Sequence, residues 1–534
     1  MNNLIDIYEW WFYNNKSWFD SSTENDYKIS IIFKSIINKD FNINDNITKK
    51  EGLGYIILKD QILRHYVRNF SLDKKCIDDN LNELLKFVNL FYNKFKEDLF
   101  GYEFCFTLLP YRHTNNYDSI LFAINECWNK IFIDKNNIDI YKKFLKASYE
   151  RMNFNNLNLL YKKEDSVEKI NNEHIFNKFK EILDKKCFLK NNSNIEFLEI
   201  YKYFELIKDQ KIILSISGGV DSMILSFILN KLKINFEMFH LNYNNRDSCN
   251  DEKKLLIEWA KLLNVNFYCR DLHEIQREKC MDINMRQIYE NYTRNVRYSC
   301  YQELSDNNLI MLGHNKDYCF ENILTNIASK NKYDNLNAME FISIINFNNK
   351  NIKFVRPLLE ITKDYIYEYA NYYKIPFLLD STPSWSQRGQ IRDIIKPTLN
   401  KWNSNIINGF EEVSIILKES IECVKILTNN LILKIDDIIN LDNLSKPKNL
   451  IINDNDKFLK FKKNELIFNK IIWIDIFKNL NIKITNKCLL EFIIRLKNIN
   501  KQDINKISKF ELSKNNKIYY WITKNKHIII LFLF

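Results

Sequence analysis

The sequence predicts an α/β protein. A doubly wound parallel sheet stands between an all-helical N-terminal domain and a small helical/β C-terminal domain. Three observations carry this reading. Between 211 and 400, short apolar strand patterns alternate with helical ones, as where helices link parallel strands. Residues 1–160 place apolar side chains at helical spacing, with glycine and proline nearly absent. Beyond 401 the pattern is helical at first and then strand-like, ending in KISKFELSKNNKIYYWITKNKHIIILFLF.

Composition bounds the function. A chain of 534 residues with 46% hydrophobic and 14% aromatic content has material for two to four cores and is not a disordered chain. Lys+Arg 78 against Asp+Glu 67 gives +11, which favours a polyanionic partner. Eleven cysteines without a CxxC pair suggest reduced thiols in an intracellular protein, and seven scattered histidines argue against zinc. Asp6 and Glu9 near the start fit neither a signal nor a transit peptide, so the expected location is cytoplasmic. The apolar tail Ile528–Phe534 is too short to span a bilayer and reads as a last strand.

In order along the chain, Leu81, Leu84, Leu85, Val88 and Phe91 mark a long helix in the first region. Residues 161–210, with a short helical pattern at Phe176–Leu183, read as a helical connector. The run Ile212-Ile213-Leu214-Ser215-Ile216 reads as a buried parallel strand. Further strands fall at Ile234–Tyr243, at Val265–Leu272 and at Asn308–Asn315, with a helix at Lys253–Leu263. In the C-terminal tail, lysines alternate with Tyr519, Tyr520 and Trp521; either an RNA-facing surface or an ordinary solvated sheet face fits.

Ser217-Gly218-Gly219-Val220-Asp221-Ser222 joins the first of these strands to an apolar helix. Glycines before a helix N-terminus let backbone N–H groups approach an anion, and the helix end adds unpaired donors. The pair is conspicuous in a chain with 8 glycines, although a tight turn that binds nothing also needs glycine. No Walker A lysine follows it. The hexapeptide resembles the pyrophosphate loop of N-type ATP pyrophosphatases. That resemblance implies ATP cleaved between its α and β phosphates to adenylate a carbonyl oxygen.

Other motifs fall at strand ends. They are His240-Leu241-Asn242-Tyr243 with Arg246; Glu290, Arg294 and Arg297 on one helix face; Gly313-His314-Asn315-Lys316-Asp317 to Glu321-Asn322; Arg356-Pro357-Leu358-Leu359; and Asp380-Ser381-Thr382-Pro383 before Arg388, Arg392 and Pro397. In this order they resemble tRNA(Ile)-lysidine synthetases over about 211–400, and the tail is more weakly similar to that family's C-terminal domain. The resemblance implies ATP and Mg²⁺ as cofactors, and a tRNA with a CAU anticodon and L-lysine as partners. The wobble cytidine is adenylated at its C2 carbonyl, and the lysine ε-amine then displaces AMP.

By the same resemblance, Ser217, Gly218, Gly219, Val220, Asp221, Ser222, His240 and Gly313 bind ATP, with Asp221 placed to meet magnesium. Asp221, Arg294, His314 and Arg388 are the expected catalytic residues, Asp317 and Glu321 the lysine site, and Arg297 and Arg392 tRNA contacts. The chain departs from the family at Asn315, Tyr318, Asn322 and Ser329-Lys330, so the resemblance supports adenylation more strongly than lysine transfer. A 2-thiocytidine enzyme would need paired cysteines, and a glutaminase-coupled synthetase a cysteine where Asn2 stands. A non-catalytic RNA-binding scaffold is the non-enzyme reading, which ATP–pyrophosphate exchange discriminates.

Residues 1–160 resemble a second family, uncharacterised, all-helical and distantly like tetratricopeptide repeats. The match rests on Trp10-Trp11-Phe12, Trp18-Phe19-Asp20, Leu58–Phe70 and Glu103–Thr114. Asp60, Gln61, Arg64, Arg68 and His113 then line a pocket or partner surface, or make internal contacts between helices. Since every nucleotide motif lies beyond 211, deletion of 1–160 is predicted to leave a soluble, active chain.

Overall fold

The computed structural model describes residues 3–152, 198–378, 386–429, 432–433 and 457–532, apart from short breaks such as 329–338 and 463–468. Connector residues 161–197, Ser329-Lys330 and Asp380–Pro383 lie outside the described residues. Two compact units divide the chain. The first comprises Met1–Gly313, Ile342–Pro357 and Ile366–Ser381, the second His314–Phe341, Leu358–Tyr365 and Thr382–Phe534.

The first unit opens with helices α1 (Leu4–Tyr13), α2 (Thr23–Phe33), α3 (Lys49–Ile57), α4 (Leu63–Asn69), α5 (Lys75–Phe95), α6 (Gly101–His113), α7 (Tyr117–Ile133) and α8 (Ile138–Arg151). Their starts are set by side-chain caps. Asn3, Ser22 and Asn116 each accept an N–H of the first turn, and Thr48 and Glu51 form a reciprocal capping box on α3. Between α3 and α4 the helix widens into one π-type turn, Leu58–Ile62. The aromatic residues near the start are core. Trp11 is fully buried, and its carbonyl accepts the Trp18 indole N–H at 2.7 Å.

Two buried polar knots sit among these helices. Asp26 accepts both Nε and Nη2 of Arg68, at 2.9 and 2.7 Å, and lies 2.6 Å from His65 Nδ1. Asp60 accepts Arg64 Nε at 2.9 Å and His113 Nδ1 at 2.9 Å. Burial pushes both His65 and His113 below the ordinary imidazole value of 6.5, against the pull of their aspartates. The sign follows from linkage. A histidine whose pKa is lowered in the fold takes up protons first in the unfolded chain, so its contribution is complete above about 6.5 and is lost as pH falls. Amide hydrogen exchange across 3–152, corrected for intrinsic rates, is therefore expected to show falling protection from pH 7 to pH 5. Protection that rises over that range would contradict it.

The sheet of this unit has strand order β3-β2-β1-β4-β6-β5. Its strands are β1 (Ile212–Ser215), β2 (Phe236–Asn242), β3 (Phe267–Asp271), β4 (Leu309–Met311), β5 (Ile342–Phe347) and β6 (Lys350–Val355). All neighbours are parallel except the β5–β6 hairpin, whose two-residue turn puts Asn348 and Asn349 at φ 46° and 63°. The crossover helices include α9 (Val220–Lys231), α10 (Cys249–Leu263) and α11 (Arg286–Leu304). Strand β1 pairs with β2 on one side and β4 on the other, so the strand order reverses there. Ligands of such sheets gather at the carboxyl ends beside that reversal.

One apolar cluster links the N-terminal helices to the sheet, from Leu4 and Trp11 of α1 through Tyr149 and Met152 to Tyr292, Ile310 and Phe354. Tyr149 is the joint. Its hydroxyl accepts the Trp128 indole N–H at 2.9 Å and donates to the Glu274 carbonyl at 2.9 Å, and its ring lies 5.0 Å from that of Tyr292.

The second unit carries α12 (Lys316–Ala328), α14 (Lys396–Trp402), α15 (Ile406–Asn429), α16 (Lys470–Asn479) and α17 (Asn486–Lys497). Helix α13 (Lys363–Tyr372) begins in this unit. An antiparallel sheet, ordered β7-β8-β11-β10-β9, uses β7 (Ile432–Leu433), β8 (Lys457–Lys462), β9 (Ser508–Glu511), β10 (Lys517–Ile522) and β11 (His527–Phe532). Trp473, Phe477, Phe492 and Phe510 fill its core. Among the described residues no helix is long and apolar enough to cross a membrane.

Candidate active site

The phosphate-type loop follows β1. The chain bends at Gly218, φ +77°, a conformation in which side chains are strained, and a Cβ there would stand 2.8 Å from Leu378 Cδ1. Gly218 accepts the Leu378 N–H at 2.9 Å, and Gly219 bridges Leu378 in a parallel pair. Helix α9 then begins, with Gly219 as an N-cap that supplies no side-chain acceptor. Ser222 stitches the loop. Its hydroxyl donates to the Gly219 carbonyl at 3.0 Å and accepts the Ser217 N–H at 3.2 Å. Val220 is buried, and Asp221 occupies the first turn of α9. At the end of β4, a Cβ on Gly313 would stand 3.1 Å from Asp221 Cβ and 3.2 Å from Ser222 N, so only a glycine-sized residue lets β4 approach the loop without a shift.

His240, on neighbouring β2, is buried with Nδ1 3.0 Å from the Ile216 carbonyl. Burial holds the ring below its ordinary pKa, so the proton sits on Nδ1 and is donated to that carbonyl. Nε2 is left as an enclosed acceptor without a protein partner. Beside it, Asn242 donates to Asp271 at 2.8 Å, and Lys253 pairs with the other Asp271 oxygen at 2.6 Å. Sequence reasoning missed Lys253 and Asp271, which carry no motif of their own.

Arg294 and Arg297 stand four and seven residues beyond Glu290 on the continuous helix α11, so the three share a face, as the spacing predicts. Glu290 pairs with Arg286 at 2.7 Å, Arg294 is exposed and donates to Asn291 at 3.0 Å, and Arg297 is half-buried. Arg356 donates to Ser343 at 2.9 Å.

The second unit gathers the remaining candidates around α12. The His314 and Tyr318 rings stack at 4.1 Å, and the Arg388 guanidinium lies 4.1 Å over Tyr318. Glu321 is buried. Its Oε1 accepts Arg392 Nε and Nη2, at 2.9 and 2.7 Å, while Oε2 is enclosed without a partner. Burial raises this carboxyl above its ordinary value against the pull of Arg392 and Arg388. Asp317 is engaged on both oxygens: Oδ1 by the Lys396 ammonium, Oδ2 by the Lys363 N–H at 2.7 Å. Burial tends to raise its carboxyl, but these donors hold it below the ordinary carboxylate range. Asn315 caps the helix start by accepting the Tyr318 N–H at 2.9 Å. Lys396 was not foreseen, although it continues the four-residue spacing of Arg388 and Arg392.

Comparison with known proteins bears on the loop directly, because residues 189–399 match the PP-loop domain family. This stretch is a PP-loop domain. The chain is 28% identical over 204 residues to the tRNA(Ile)-lysidine synthase of Malacoplasma penetrans, covering 38% of this chain and 65% of that protein. With the synthase of Chlamydia muridarum it shares 29% over 213 residues, 39% and 63% of the two lengths. With that of Clostridioides difficile it shares 28% over 235 residues, 41% and 47% of the lengths. The chain thus spans between about half and two thirds of the length of these relatives.

Proposed function

We propose that this protein is a tRNA(Ile)-lysidine synthetase-type ligase. ATP adenylates the C2 carbonyl of a wobble cytidine in a CAU anticodon, and L-lysine then displaces AMP to leave lysidine. The observation that carries the reading is the PP-loop itself. Its glycine bend, stitched by Ser222, stands at the strand-order reversal and presents the α9 N-terminus. In the first half-reaction the C2 oxygen attacks the α-phosphorus and pyrophosphate leaves. In the second, the ε-amine attacks C2, the C2–oxygen bond breaks and AMP departs.

Ser217, Gly218, Gly219 and Ser222 hold the departing pyrophosphate, and the lone acceptor on His240 Nε2 suits a hydroxyl or amino donor of the nucleotide. Asp221 offers one carboxylate beside phosphate oxygens, the kind of donor set that Mg²⁺ accepts; when bound, the ion neutralises pyrophosphate charge. Arg294, His314 and Arg388 orient the reacting groups, Arg297 and Arg392 meet tRNA, and Asp317 with Glu321 receives lysine. Within this pair the open oxygen is Glu321 Oε2, the better acceptor for the incoming ammonium.

Ser217→Ala and Asp221→Ala are each expected to lower tRNA-dependent AMP release by about 10²–10³-fold, the scale of losing a group that stabilises transition-state charge, with tRNA binding nearly intact. Near-normal turnover in either variant would remove the loop from the mechanism.

A second reading has one observation behind it. The Lys396 ammonium already rests on Asp317, as a substrate amine would. If the chain fills its own amine site, adenylation proceeds and a nucleophile other than lysine follows, or none does. Mass spectrometry of the anticodon separates the two: a lysine adduct on cytidine supports the first, adenylation without one the second.

A further inference from the structure

The geometry points to a second anion site, in the helical region, where Arg64, Arg112 and Arg151 bind one phosphate dianion. The site is built around Asp60, which the widened turn Leu58–Ile62 places in the interior; such turns recur at functional sites. Asp60 is committed to Arg64 Nε and to His113, the last residue of α6. Arg112, the residue before His113, sets its guanidinium 5.3 Å over the Phe144 ring of α8. Arg151 lies seven residues, two helical turns, beyond Phe144 and so on the same face of α8.

Donors in this cluster outnumber acceptors. Arg64 Nη2 and Arg112 Nε are both enclosed, and no acceptor reaches either. The groups acting on the Arg112 charge are Arg151, Asp60, Cys105 and Arg64; Asp60 and Arg64 act likewise on Arg151. With His113 held neutral by burial, three arginines face one aspartate, and two positive charges stay uncompensated. Burial and the neighbouring arginines draw Arg112 down to about 10. Arg64 and Arg112 are half-buried and Arg151 is exposed. Like charges crowded round one carboxylate cost stability, so an assembly of this kind is explained by what it binds.

Guanidinium forks match the oxygens of a tetrahedral oxyanion, and two spare charges match a phosphate dianion, whereas a carboxylate would leave one uncompensated. The dianion is either free phosphate or the terminal group of a phosphomonoester. The site is independent of the PP-loop and of the proposed ligase reaction.

Calorimetric titration of the full chain at constant ionic strength tests it, with inorganic phosphate and glycerol 3-phosphate as probes. At least one probe is expected to bind saturably at one site. Arg112→Met and Arg151→Met should each weaken that binding tenfold or more, Arg151→Lys should restore part of it, and Gly218→Val, which disrupts the PP-loop, should leave it. Binding of inorganic phosphate alone identifies the free ion, and binding of both identifies a phosphomonoester site. Without ligand, Arg151→Met is expected to melt no lower than the parent chain, because it relieves repulsion and breaks no pair; a structural role would lower its melting temperature. The proposal is overturned if neither probe binds saturably, or if binding survives both methionine variants.

Discussion

A chain lacking residues 1–160 is expected to lose cooperative folding and to be recovered mainly as aggregate. The nucleotide motifs all lie beyond 211, and on sequence alone the helical region looks dispensable. The structure gives the opposite expectation, because one apolar cluster includes both the helices and the PP-loop sheet. Deletion removes Tyr149 from the ring of Tyr292, Met152 from its hydroxyl, and the Tyr149 hydroxyl from the Glu274 carbonyl. It also uncovers the side of the buried Arg270–Glu274 pair where Tyr292 donates to Glu274 at 3.0 Å. Burying each large apolar side chain contributes about 1.5–3 kcal/mol, and a domain's whole stability is about 5–15 kcal/mol, so losing several such contacts at once exceeds the margin. Size-exclusion chromatography and thermal melting of the truncated chain check this. A soluble monomer with the parent's transition would show that the PP-loop sheet folds alone.

Glu321→Gln is expected to raise the KM for lysine roughly ten- to hundredfold, with ATP–pyrophosphate exchange largely preserved. A hydrogen bond to a charged group contributes about 1.5–3 kcal/mol, which sets that range. The amide keeps the shape of the carboxyl and an oxygen for Arg392, so the variant removes charge with little change in packing. Because the Glu321 carboxyl is raised by burial, lysine use by the parent enzyme should fall as pH drops toward that raised value, at higher pH than an ordinary glutamate would give. An unchanged KM together with a lysine adduct would move the ammonium to another acceptor.

Much of this was legible because it is written in local pattern. The strands read at Ile212–Ile216, Ile234–Tyr243 and Val265–Leu272 appear as Ile212–Ser215, Phe236–Asn242 and Phe267–Asp271, trimmed at their ends. Apolar runs bounded by polar residues define a strand's existence better than its limits. The β5–β6 hairpin was missed. Its signal was Asn348-Asn349, two residues that tolerate left-handed backbone in place of the more familiar Asn-Gly. The loop's own residues were readable from Ser217 to Ser222, but Leu378, which completes its geometry, was not. A backbone N–H carries no residue signature, and a hydrogen bond between positions 218 and 378 leaves no periodicity. Lys396 escaped for a related reason: its partner Asp317 is distant in sequence, and only the fold reveals the pairing.

The tie between Gly218 and Leu378 has a consequence for how the protein is made. Ribosomes deliver β1 and its glycines early, yet the bend at Gly218 is anchored by an N–H that emerges much later. Strand β1 likewise waits for β4 as its second neighbour, and β4 for β6. Contacts this distant in sequence close slowly, because the intervening chain must be ordered first. A nascent polypeptide halted before residue 378 would already carry the whole glycine motif without the anchor that shapes it. Nucleotide affinity should therefore arrive late in translation, as a step near the completion of the sheet, and a half-made chain would not sequester ATP.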